Sequence, residues 1–155
     1  MKKGKEMNII IDTREKKPWT FAKGSAETTF RKLDTGDYAI DGLEDVLCIE
    51  RKQSASEIAN NITDSRFERE LKRMSAFKYK FLILEFDLRH IDDFPEGSGI
   101  PKHLKNKVRV KGPFIIKRLT ELSLKYDIHV LYCSNVAYAE HIAYSIMKEV
   151  YDKES

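Results

Sequence analysis

DYAIDGLEDVLCIERK, residues 37–52, decides how the rest of this 155-residue chain is read. Two apolar runs, around 37–41 and 45–50, flank Asp41 and Gly42, a dipeptide that suits the positive φ of a hairpin turn. Successive side chains on a strand point to opposite faces, so Glu50 and Lys52 share one face and Arg51 points to the other. The hairpin can carry Asp37 back beside Glu50. Two carboxylates there offer hard oxygen ligands for Mg²⁺ or Mn²⁺, and such an ion can activate a water. Lys52 would polarise that water or stabilise charge on a pentavalent phosphate. Spacing alone leaves another reading open. The stretch TGDY (35–38) is ordinary turn chemistry, and a Glu-x-Lys pair on a strand is commonly a surface ion pair.

Outward from this stretch, NIIID (8–12) reads as a short buried strand that delivers Asp12 at its end. KFLILEF (80–86) is a nearly continuous apolar run, expected for a strand covered on both sides. Ser54 with Glu57, and Ser65 with Glu68, have the Ser-x-x-Glu spacing of a capping box. Ile58, Ala59 and Ile62 mark the inward face of the first predicted helix, and Phe67, Leu71 and Met74 that of the second. The pattern breaks from 92 to 113 under prolines and glycines, and helix, strand and helix follow at about 114–126, 128–133 and 136–151. The last helix has Val136, Ile142, Ala143, Ile146, Met147 and Val150 as its apolar set. Strands followed by alternating helices and strands predict an α/β fold with a mixed sheet between helical layers.

A hydrophobic fraction of 41% suits one domain over 1–155, with 1–7 expected to be flexible and 94–113 an irregular basic loop. A net charge of +3 among 34% charged residues is only a mild lean toward polyanions, so a basic face must be argued locally. Cys48 and Cys133 sit in apolar runs and read as buried thiols of a reducing compartment. No apolar run approaches the roughly twenty residues of a membrane helix. The basic start lacks the apolar stretch of a signal peptide. A soluble, intracellular protein without a membrane partner is the expectation. His90, His103, His129 and His141 have no zinc-ligand spacing.

Four segments in order, IIIDTRE (9–15), TGDYAI (35–40), IERKQSASEI (49–58) and SRFERELKRM (65–74), resemble the nuclease domain of the xeroderma pigmentosum group F (XPF) family. That family's signature is a Gly-Asp dipeptide, a variable gap, then Glu-Arg-Lys, three residues and Asp. The likeness covers most of the chain, including FLILEFD (81–87). It implies a restriction-endonuclease-like three-layer fold and a DNA endonuclease dependent on Mg²⁺ or Mn²⁺, acting at branched or junction DNA in repair or recombination. It implies Asp37 and Glu50 as metal ligands with the backbone carbonyl of Arg51 as a third, Lys52 as the catalytic lysine, and Asp12 as a further acidic member of the centre. Arg14 becomes a phosphate contact, and the Arg51 side chain a brace acting through a carboxylate such as Glu15.

Two departures stand out. The signature's final Asp falls on Ser56 here, with Glu57 one step later as a substitute or a plain helix cap. Many members also carry a helix-hairpin-helix domain, and Ser155 leaves no room for one. Grip on DNA is then expected from this domain itself or from a partner chain that has such a domain.

KHLKNKVRVK (102–111) has six basic side chains, counting His103, and no acid. Lys105, Lys107, Arg109 and Lys111 are therefore candidate phosphate contacts, although solvated loops have similar composition. Arg66 follows the family pattern and joins them, whereas Arg69 and Arg73, among Glu68 and Glu70, read as a solvated face. Trp19, Phe21 and Tyr38 could stack on bases, but core burial is the expectation. Two alternatives remain at this stage: a catalytically silent DNA-binding or dimerisation subunit, and a Holliday-junction or duplex nuclease of the same superfamily. The closing helix also suggests a homodimer, while packing on its own sheet accounts for the same stripe.

Overall fold

The computed structural model describes residues 6–24 and 26–155. Six strands, β1 (Asn8–Ile11), β2 (Glu27–Phe30), β3 (Tyr38–Ile40), β4 (Leu47–Lys52), β5 (Tyr79–Leu84) and β6 (His129–Tyr132), form one sheet in the order β2-β1-β3-β4-β5-β6. β3 runs antiparallel to both β1 and β4, while β1–β2, β4–β5 and β5–β6 are parallel. The sheet is mixed and the fold is α/β. β4 lies at its centre with the active-face residues at its C-terminal end. β2 was not foreseen, because ETTF has no buried alternation: all four residues are exposed on a sheet edge and held through backbone pairing with β1.

Helices cover both faces. α1 (Ala55–Ile62), α2 (Ser65–Met74) and α5 (Gly112–Tyr126) bury Ile58, Phe67, Leu71, Ile115 and Leu119 against Cys48, Leu82 and Leu84. On the other face α6 (Val136–Glu154) packs Ala139, Ala143, Met147 and Val150 against Ile9, Ile11, Ile49 and Ile83. Each fully buried Leu or Ile contributes about 1.5–3 kcal/mol relative to exposure. The stripe of α6 thus packs on its own sheet, but Val136, Tyr138 and Ile142 stay exposed. The continuous run of β5 matches its place between two parallel neighbours, with Leu82, Ile83 and Leu84 fully buried.

Two local expectations change. α2 is capped by Asp64, whose Oδ1 accepts the Arg66 N–H at 2.8 Å, so Ser65 is already helical and its capping box with Glu68 does not form. Asp offers a carboxylate one residue earlier, and it favours the helix N-terminus electrostatically. The segment 94–113 is less irregular than its prolines suggest: after the short α3 (Leu88–Asp92) it contains α4 (Lys102–Lys105), and α5 opens at Gly112 with Pro113 in its first turn. Of the stretch 1–7 expected to be flexible, 1–5 lie outside the described residues. Met7 is buried in the core, and its carbonyl accepts from the Glu27 N–H.

Candidate active site

On the face that carries Glu50, the helical cover stops short of β1 and β3, where Leu33 caps Ile10 and Ala39. Between this connection and α2 a cleft of about 270 Å³ opens, lined by Asp12, Arg14, Glu15, Asp34, Thr35, Gly36, Asp37, Glu50, Glu70 and Arg73.

Asp37 is placed by its backbone on both sides. Its N–H donates to the Ile49 carbonyl at 2.8 Å, and its carbonyl accepts from the Asp12 N–H at 2.9 Å. The Arg51 N–H then donates to Asp37 Oδ2 at 2.8 Å. The preceding glycine makes this approach feasible: Gly36 has φ +86°, and a Cβ there would sit 2.6 Å from Cys48 Sγ and 3.1 Å from the Ile49 carbonyl oxygen. A side chain at this position would push the turn off β4. The Gly-Asp dipeptide is therefore a packing requirement that aims a carboxylate.

Glu50 and Lys52 share the active face, with Lys52 Nζ 3.2 Å from Glu50 Oε2 and both side chains 8% exposed. Lys52 also lies over the Phe67 ring of α2, 5.3 Å from its centroid. Burial pushes Asp37 up to about 6, although the Arg51 N–H works against it. Burial and then the Asp37 charge push Glu50 well above the usual carboxylate range. Burial works to lower Lys52, but the charges of Glu50, Glu70 and Glu57 outweigh it and raise its pKa, so Lys52 stays an ammonium. A permanent cation suits charge stabilisation on a phosphate, not proton abstraction.

Arg51 points the other way, into a buried network. Its Nε and Nη2 reach the two oxygens of Glu85 at 2.7 and 3.2 Å. Its Nη1 donates to Glu15 Oε2 at 2.8 Å and to the Lys17 carbonyl at 2.7 Å. The guanidinium carbon stands 4.7 Å from the centroid of Trp19. Trp19 stacks on Tyr38 and donates its indole N–H to Glu85 at 2.6 Å. The aromatic trio is core, with Trp19, Phe21 and Tyr38 at 1%, 3% and 0% exposure. Arg51 thus locks the far side of β4 through Glu15, as expected, and through Glu85, which was not foreseen.

Other expected residues are placed differently. Asp12 lines the cleft, but its oxygens are already engaged by Arg14 Nε at 2.7 Å and the Leu33 N–H at 2.8 Å. Burial works to raise Asp12, yet these hydrogen bonds prevail and hold it below its ordinary value. Arg14 is 65% exposed at the rim, and its Nη2 also reaches the Leu33 carbonyl at 2.7 Å. Glu57 accepts from the Gln53 N–H at 2.8 Å while its own N–H donates to Ser54 Oγ at 3.1 Å, and it does not line the cleft. Arg66 is held by Asp64 at 2.8 Å on the surface, away from the cleft lining. Lys105 pairs with Glu96 at 2.9 Å, whereas Lys107, Arg109 and Lys111 are exposed. Val108 and Val110 pack inward against the core, which turns Arg109 outward between them.

Glu70 and Arg73 are cleft residues, although their run of mixed charges reads as a solvated face. A signal was present: they stand three apart on α2, along the edge of the Phe67, Leu71, Met74 stripe, so one rim carries both. Glu85 also left a trace, as a lone acid at the end of an apolar run calls for a buried cation.

Comparison with known proteins places this fold among known families. The chain matches the ERCC4 domain over residues 11–146. It is 33% identical over 81 residues to the "Putative ATP-dependent RNA helicase MJ1505" of Methanocaldococcus jannaschii, a match spanning 52% of this chain and 10% of that protein. Two solved structures of XPF from Aeropyrum pernix share the fold at 18% identity. One has a TM-score of 0.70 and is covered over 64% of its length by 92% of this chain. The other, a complex with DNA, has a TM-score of 0.71 and is covered over 66% by 96% of this chain. The chain thus spans just under two thirds of those XPF chains. With the family match running from β1 through the active face of β4 to the middle of α6, the chain belongs to the ERCC4 domain family.

Proposed function

We propose that this protein is a DNA endonuclease that hydrolyses phosphodiester bonds at branched or junction DNA with a divalent metal ion. The observation that carries the reading is that Asp37 and Glu50 line one cleft while Lys52, beside it, pairs with Glu50 at 3.2 Å. The donor set fits such an ion: two carboxylates are held side by side out of water, opposite a single ammonium, and a hard dication would relieve their repulsion. Asp37, Glu50 and the Arg51 carbonyl would hold Mg²⁺ or Mn²⁺, which when bound supplies Lewis-acid activation of a water.

The side chains divide the remaining work. Lys52, kept charged, neutralises charge that develops on the scissile phosphate. Arg14 at the rim, and Lys107, Arg109 and Lys111 on the basic segment, pair with backbone phosphates and give sequence-neutral affinity. Support for DNA as the partner comes from the fold shared with XPF from Aeropyrum pernix, which is solved in complex with DNA.

The test is incubation with flap, fork, four-way-junction and plain duplex DNA in Mg²⁺ or Mn²⁺. Cleavage near the branch in preference to plain duplex is expected. Binding to every substrate with no cutting would point instead to a silent DNA-binding subunit.

A further inference from the structure

The acids around the cleft are not equally occupied. Asp12 is engaged by Arg14 and the Leu33 N–H, Glu15 and Glu85 by Arg51, and Glu57 by the Gln53 N–H. Asp37 and Glu50 are the two carboxylates of the proposed metal centre. Asp34, exposed at the cleft's edge, and Glu70 are left, and of these Glu70 is the one half-buried, in α2, lining the same cleft. Among the described residues no basic side chain forms an ion pair with it.

The helix explains why it points there. Phe67, Leu71 and Met74 seat α2 on the sheet beside Lys52, and Glu70 lies between them in sequence, at the edge of that buried stripe. A solvated carboxylate could have turned outward at no cost. This one instead lies within hydrogen-bonding reach of the Glu50 carboxyl, and after burial and the Asp37 charge it helps to raise Glu50. The cleft lining sets the acids Asp12, Glu15, Asp34, Asp37, Glu50 and Glu70 against Arg14 and Arg73, with Lys52 paired to Glu50, and leaves a local excess of negative charge. Natural proteins retain such arrangements where a cation is to be held. Among the described residues no group of three or more His, Cys, Asp or Glu side chains is placed to hold a metal ion by direct contact alone.

We propose that Glu70 is the third carboxylate of this centre, accepting hydrogen bonds from water on the ion that Asp37 and Glu50 bind. This inference rests on the metal-dependent nuclease reading above and names a residue that sets the strength of its ion. Glu57, closer in sequence to Lys52, is excluded from the role by its helix cap.

The test is Mn²⁺ binding to the whole chain without DNA, followed by calorimetry and by the paramagnetic resonance of free Mn²⁺. The parent is compared with Asp37→Asn, Glu57→Gln and Glu70→Gln, each checked for native circular dichroism. Glu70→Gln should weaken Mn²⁺ binding about 10-fold, the scale of losing a hydrogen-bonded partner of a metal ligand. Glu57→Gln should leave it unchanged and Asp37→Asn should abolish it. Equal affinity in Glu70→Gln and parent, with Asp37→Asn inactive in binding, overturns the role of Glu70 alone. Equal weakening by Glu57→Gln overturns it too, since any nearby charge would then serve. A parent that binds no Mn²⁺ overturns the metal-centre reading itself.

Discussion

Arg51 and Glu85 meet through two hydrogen bonds in the interior of the protein, with their side chains 2% and 1% exposed. The pair sits on the opposite face of β4 from Glu50 and Lys52, next to Trp19 and Tyr38. It holds the strand from behind, on the face turned away from Glu50 and Lys52.

Removing one partner leaves the other charged and buried. Glu85→Gln or Arg51→Met should each destabilise the protein by about 3–5 kcal/mol. Urea unfolding followed by circular dichroism measures this. The double replacement Arg51→Met with Glu85→Leu should cost clearly less than the sum, because neither member of the pair is then left charged against an apolar partner, although Glu15 and the Trp19 N–H still lose a partner. An additive double variant would mean the two residues act independently.

Glu68 ties α2 to α5, with Oε1 2.7 Å from Arg118 Nη2 and Oε2 2.7 Å from both Lys125 Nζ and the Tyr126 hydroxyl. The Lys125 and Tyr126 hydrogen bonds pull its carboxyl down to about 2 from the ordinary 4.5. A depressed acid stabilises the fold above its unfolded value and ceases to do so as pH falls through its folded value. Parent and Glu68→Gln should therefore differ in thermal midpoint at full size above about pH 4.5, and converge as pH drops toward about 2. A difference that stays constant across this window would remove Glu68 from the acid response.

The basic segment is expected to act through charge alone. Lys107→Ala with Arg109→Ala should weaken binding to all DNA structures alike. The slope of log K against log salt should fall by roughly 1–2 units, near 0.9 for each phosphate that is no longer neutralised. Fluorescence anisotropy across a salt series gives the slope. An unchanged slope would make 102–111 a solvated loop.

Much of this was legible in the sequence where burial and periodicity agree. β1, β4 and β5 are apolar runs with a face to bury, and the alternation through Glu50, Arg51 and Lys52 assigned each side chain to its face. β2 was illegible because its four residues bury nothing and backbone pairing alone makes it a strand. The same limit applied at the site. Glu70 and Arg73 matter through where α2 docks, which no local pattern states, and a residue in a run of mixed charges reads as solvated. The contact of Arg51 with Glu15 followed from strand alternation, but Glu85, its main partner, is 34 residues away in sequence, and only the pairing of β4 with β5 brings the two together.

In the proposed function Asp37 and Glu50, through the ion they would hold, and Lys52 together carry the hydrolysis of DNA. Single-turnover cleavage of an end-labelled flap in Mg²⁺, with binding measured separately in Ca²⁺, tests it most directly. The parent should cut, and EDTA should stop it. Asp37→Asn, Glu50→Gln and Lys52→Ala should each lose at least about 10²–10³-fold in rate while still binding the flap. Cleavage that survives in EDTA, or variants that cut at the parent's rate, would show that these three residues do not form a metal-dependent catalytic centre.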